Sequence, residues 1–90
     1  IEGSNWRVPV DTVVVAIGQS PNPLIAQTTP ELKVGKWGNI EVDPETNKTS
    51  MKGVWAGGDV VRGGATVILA MGDGRVAARS MHEYLTTAKW

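Results

Sequence analysis

The sequence predicts an α/β fold with a few strands, a β-meander and one long C-terminal helix. Three observations carry that expectation. Thr12–Ile17 is a β-branched run with no polar alternation, the composition of a strand covered on both faces. Glu31–Val42 has the turn chemistry and alternation of a hairpin or meander. Val67, Met71, Gly74, Ala78, Met81 and Leu85 recur at spacings of four and three, one face of a helix. The order strand, meander, strand, helix is that of a layered α/β unit.

Taken in order, the first strand covers Asp11–Ile17 and stops at Gly18. Gln19–Pro23 follows as an irregular turn, because two close prolines cannot continue a strand ladder. Pro23–Gln27 is expected to make one helical turn before Thr28-Thr29-Pro30 breaks it. Trp37-Gly38-Asn39 supplies a turn, Ile40–Val42 alternates as a half-exposed strand would, and Asp43–Ser50 is a polar connector. A short apolar piece, Val54–Ala56, runs into Gly57-Gly58-Asp59. On the final helix Asp73, Arg79, Ser80 and Glu83 lie away from the apolar stripe. Arg79 and Glu83, four apart, are expected to pair for about 0.3 kcal/mol. Trp37 and Trp55 read as packing residues.

Ninety residues make one small domain with a thin core. Nine basic residues balance nine acidic ones and form no run, so neither nucleic acid nor an anionic membrane is an expected partner. The absence of cysteine removes disulfides, thiolate zinc sites and iron–sulfur ligation within these residues. His82 stands alone without cysteines or paired carboxylates, so no metal site is expected. No nucleophile elbow or P-loop occurs, and no catalytic residue is assigned. The first residues have no charged stretch followed by an apolar one and read as the middle of a longer chain or an appended remnant.

Gly57-Gly58-Asp59 ends an apolar run at the edge where ligands of α/β folds bind. The glycines permit close backbone approach, and the carboxylate can accept hydrogen bonds from a sugar-like hydroxyl. A turn aspartate bonded to its own backbone is the competing reading. Gly63-Gly64-Ala65-Thr66 then opens the long helix, whose free N–H groups would face a planar ligand. Gly72 and Gly74 each cost about 1 kcal/mol within a helix, and close packing would explain them. Gly72–Ala77 also matches the dinucleotide fingerprint G-x-G-x-x-G/A, with Val67–Ala70 as its strand. That reading needs a further strand and a later acidic residue, so the helix is preferred.

In this order the motifs resemble those of the two-dinucleotide-binding-domain flavoproteins. They are Thr12–Asn22, Asp43 with Thr49-Ser50, and Gly53–Asp59. The stretch Gly57–Arg75 is most similar to the NADPH-dependent glutamate synthase small (beta) subunit family, including flavin subunits of ferredoxin:NADP oxidoreductases. The resemblance implies a partial FAD/NAD(P)-binding domain, Rossmann-like and three-layered. It would consist of a linker or appended end at 1–9, the C-terminal portion of an FAD-binding domain at 10–86, and a tail at 87–90. It implies cofactor contacts at Ile17, Gly18, Gln19, Gly58, Asp59, Gly64, Ala65, Thr66 and Val67. Asp59 would meet the FAD ribityl–phosphate region, and Ala65–Val67 the isoalloxazine. Ala16–Gly18 would return the chain from the NAD(P)H domain to the FAD domain.

The relatives pass electrons from NAD(P)H through FAD to iron–sulfur clusters for glutamate formation in the cytoplasm. The implied partners are the rest of the parent chain or the glutamate synthase large subunit. The first dinucleotide fingerprint, the NAD(P)H domain and the cluster cysteines of that family are missing here. The isolated piece is therefore expected to bind FAD weakly or not at all and to lack turnover. A stand-alone docking module, or one that self-associates through unpaired strand edges, is the rival expectation.

Overall fold

The computed structural model describes residues 1–90. Three helices form: α1 (Leu24–Thr28), α2 (Asp59–Arg62) and α3 (Val67–Thr87). The molecule is elongated, 64 × 29 × 24 Å. A 21-residue helix spans only about 31 Å, so α3 alone does not account for the long axis. No helix is long and apolar enough to cross a membrane.

The helix ends follow local chemistry. Asn22 Oδ1 accepts the Leu24 N–H at the start of α1, and the Thr28 hydroxyl donates back to the Leu24 carbonyl. Thr66 caps α3 by accepting the Leu69 N–H at 3.3 Å, the role expected of a threonine in extended conformation before a helix. Val67–Ala70 and Gly72–Ala77 lie inside α3, so the strand-plus-fingerprint alternative does not form.

The expected strand at Asp11–Ile17 is absent. The whole of residues 1–20 is exposed and unassigned to helix or strand, and Val14 keeps 80% of its surface. A β-branched run becomes a strand only when a neighbour accepts its ladder hydrogen bonds, and none lies alongside it here. The β-meander does not form either. Between residues 31 and 56 there are only three isolated antiparallel bridges: Val34 with Ile40, Val42 with Thr49, and Lys48 with Trp55. Turns hold this region instead. Gly38 donates to the Gly35 carbonyl at the expected Trp37-Gly38-Asn39 turn, and the Ser50 hydroxyl clips Glu31 and Lys33 from across the fold.

The long helix forms, but its buried face is not the apolar stripe. Ala70, Asp73, Ala77, Ser80 and Tyr84 turn inward at spacings of three and four. Val67, Met71 and Leu85 point to solvent. Gly72 and Gly74 face open space, so no packing within this chain accounts for them. Arg79 and Glu83 do not pair; the sole ion pair joins Arg62 to Asp73. Trp37 is exposed, with Lys36 Nζ 5.4 Å from its ring, whereas Trp55 packs against Tyr84 and Trp90 and donates its indole N–H to Ser80 Oγ.

The centre is correspondingly polar. Leu32, Ile40 and Ala77 are the buried apolar side chains, and Asn47, Thr49, Asp73 and Ser80 are buried beside them. Each of these four polar side chains has a hydrogen-bond partner, as burial requires.

Candidate functional site

The loop from Ala56 to Gly63 is shaped from behind by α3. Gly57 runs so close to the helix that a Cβ there would lie 2.7 Å from Asp73 Cβ and 3.1 Å from Asn47 Nδ2. Gly58 follows at φ 77° and ψ −151°, a conformation open essentially to glycine alone. This reversal buries the Gly58 N–H, which donates to Asp73 Oδ2 at 2.9 Å, and turns the next residue outward. Asp59 thus begins α2 with an exposed side chain, and its Oδ1 lies 3.4 Å from the Ala65 N–H.

Asp73 is the hub. Arg62 Nε donates to Oδ2 at 2.7 Å and Nη2 to Oδ1 at 2.6 Å, the two-pronged geometry that suits a guanidinium and a carboxylate. The Asp73 side chain is 6% exposed and that of Arg62 is 46% exposed. From the other side, Asn47 Nδ2 donates to the Asp73 carbonyl at 2.9 Å. Asn47 is held at φ 56°, a left-handed conformation that asparagine tolerates better than most residues. The preceding turn is tied by Asp43 Oδ1, which accepts from the Thr46 hydroxyl and the Glu45 and Thr46 N–H groups. Those bonds hold its carboxyl below the ordinary range.

Arg62 first, and the Gly58 N–H second, hold the Asp73 carboxyl at about 2, down from an ordinary 3.8. A carboxylate depressed in the folded state stabilises the fold fully above its unfolded value and loses that contribution as pH falls through about 2. Acid titration by circular dichroism is therefore expected to show stability falling from about pH 4 down through pH 2. In Asp73→Asn this component disappears, and the variant is less stable than wild type at neutral pH. Equal acid transitions in the two proteins refute this expectation.

The nine sequence-assigned residues are divided by the fold. Gln19, Asp59 and Gly64 meet in one cleft of about 140 Å³, with Ser20, Pro21, Asn22, Val60 and Gly63 as its other walls. Gly64 faces open space. Gly18 precedes this wall at φ 75°, while the Ile17 side chain projects into solvent. Gly58 lies behind the cleft, buried against α3. Ala65, Thr66 and Val67 are exposed at the entry to α3, and the Thr66 hydroxyl oxygen is engaged as the helix cap. Two larger hollows, of about 530 and 450 Å³, contain none of the nine. Arg62, Asp73 and Asn47 were not assigned from the sequence. Their only signal is a set of partners 11, 15 and 26 positions apart, which no local pattern reports.

This loop, the cleft and the first turns of α3 lie within residues 1–74, which match the family model described as pyridine nucleotide-disulphide oxidoreductase. The chain belongs to that family. Among its relatives is the glutamate synthase (NADPH) small chain of Azospirillum brasilense, 48% identical over 85 residues, which cover 93% of this chain and 18% of that one. The NADP(+)-dependent formate dehydrogenase subunit beta of Moorella thermoacetica is 44% identical over 94% of this chain and 12% of its own length. The glutamate synthase (NADPH) small chain of Halomonas elongata is 33% identical over 94% and 19% respectively. The chain thus spans less than a fifth of the length of each of these three family members.

Proposed function

We propose that this chain is the flavin-contacting segment of an FAD-dependent NAD(P)H oxidoreductase of the glutamate synthase small-chain type. Residues 10–86 would be the C-terminal portion of the FAD-binding domain, 1–9 a linker and 87–90 a tail. The observation that carries the reading is the convergence of Gln19, Asp59 and Gly64 on one cleft in a chain of this family. An exposed carboxylate accepts hydrogen bonds from the hydroxyls of a ribityl chain, and the bare Gly63-Gly64 backbone leaves room for a planar group.

The fit is to a part of the cofactor. Ligand sites for whole organic molecules run from about 300 Å³ upward, so a 140 Å³ cleft accepts one stretch of FAD and not the entire dinucleotide. When bound, FAD supplies the hydride acceptance from NAD(P)H and the onward electron transfer, toward iron–sulfur clusters in the complete enzyme. The residues of this chain bind and orient: Asp59 at the sugar-like hydroxyls, and Ala65–Val67 with the start of α3 at the ring edge. The remainder of the parent polypeptide supplies the phosphate cradle and the NAD(P)H domain, with the glutamate synthase large subunit as a partner.

The test is a chimera in which these 90 residues replace their counterpart in the Azospirillum small chain, with 48% identity guiding the junctions. The purified chimera is expected to carry flavin and to be reduced by NADPH. Asp59→Ala is expected to weaken FAD binding about tenfold or more, the worth of one hydrogen bond to a charged group. The 90-residue chain alone should bind FAD at best weakly. A folded chimera without flavin, or unchanged affinity in Asp59→Ala, rejects the proposal.

A further inference from the structure

We propose that Asp73 is the positioning residue of this site. It holds both ends of the one-turn helix α2 against α3, and so aims Asp59 and keeps the Gly63-Gly64 backbone open on the cleft. The inference rests on the flavin reading for its functional meaning, though not for its geometry.

A four-residue helix has too few internal bonds to hold itself, since nucleating one turn is unfavourable. Here the internal bonds are three: Val61 and Arg62 N–H groups to the Gly58 carbonyl, and Gly63 N–H to Asp59. Its orientation therefore comes from outside. One external tie is Ile40 N–H to the Val60 carbonyl at 2.9 Å, and a longer one is Ala65 N–H to Asp59 Oδ1 at 3.4 Å. The other two are both made by Asp73: the Gly58 N–H at the leading end and the Arg62 guanidinium at the trailing end. Asp59 lies between these clamped points with its own side chain directed outward.

Asp73 is itself fixed. It lies two turns into α3, its backbone carbonyl is held by Asn47, and its Cβ abuts Gly57. A carboxylate is required because three donor contacts converge on two oxygens from different directions. An asparagine offers one acceptor oxygen and places an N–H₂ where the second donor arrives. Asp73 does not line the cleft, so any effect it has on a ligand there is transmitted through α2.

The experiment compares two regions of the same molecule by amide and indole hydrogen exchange in the 90-residue chain. In Asp73→Asn, exchange at the Gly58 N–H is expected to accelerate about tenfold or more, as for a lost bond to a charged acceptor. The Trp55 indole N–H, bonded to Ser80 on the same helix, should change less than about twofold, as independent sites behave. In the chimera the same variant is expected to weaken FAD binding about tenfold while remaining folded.

Arg62→Lys keeps the charge but not the fork, and is expected to fall between wild type and Asp73→Asn in both readouts. It is also the variant to read if Asp73→Asn does not fold. Gly58 and Trp55 accelerating together would reveal a general stabilising contact, and neither moving would remove the latch altogether; either result overturns the proposal. If the wild-type chimera carries no flavin, the flavin reading fails separately, and the exchange pattern still decides whether Asp73 positions the turn.

Discussion

Gly57→Ala is expected to destabilise the chain by about 1–3 kcal/mol, the range for forcing extra volume into a packed contact. The added methyl would arrive 2.7 Å from Asp73 Cβ, an atom fixed to the α3 backbone that cannot rotate away. It would also meet Asn47 Nδ2 at 3.1 Å. Relief therefore requires α3 to move off the loop, which lengthens the Gly58–Asp73 bond as well. Urea denaturation of the two proteins measures the difference. The companion variant is Asp73→Gly, which removes the obstructing Cβ: in that background the same alanine should cost less than half as much. Equal costs in the two backgrounds would show that space is not the cause.

Gly58→Ala is expected to cost about as much, roughly 1–3 kcal/mol, for a different reason. The nearest neighbour of its added Cβ would be Ala70 Cβ at 3.5 Å, an ordinary contact. The obstacle is the backbone, at φ 77° and ψ −151°. Chemical synthesis permits a clean separation. D-alanine at position 58 has the mirror-image preference and should restore most of the stability, whereas at 57 it should not. Failure of D-alanine to rescue position 58 would mean that the turn relaxes and the strain is not real. Together the two substitutions ask whether the glycine pair serves approach at one position and reversal at the next.

What could be read from the sequence was what depends on neighbours in the chain. A four–three repeat and a short helical turn after Asn22 are both local, and α3 and α1 form, α1 one residue later than the Pro23–Gln27 expected. Strand pairing is not local. Thr12–Ile17 has the composition of a buried strand, but composition does not supply the neighbour that would complete its ladder. The repeat on α3 identified the apolar face, while the face that makes contacts in this chain is Ala70, Asp73, Ala77, Ser80 and Tyr84. Both faces share one period, and only the fold chooses between them. The glycine pair signals close approach, but only Gly57 has it, against a helix of the same chain, while Gly58 serves the reversal. Asp73 was invisible as a site residue because Gly58 and Arg62 meet it from 15 and 11 positions away.

A centre in which four of the seven buried side chains named are polar or charged has a thermodynamic signature. Heat capacity rises on unfolding when apolar surface meets water and falls when polar surface does, and an ordinary domain gains about 12–15 cal/mol/K per residue. With Leu32, Ile40 and Ala77 as the buried apolar side chains, this chain exposes little additional hydrocarbon when it opens. Its stability curve is consequently expected to bend less with temperature than that of an ordinary domain of this length. A larger share of its cohesion than in an ordinary domain comes from polar contacts, the Asp73 cluster foremost among them.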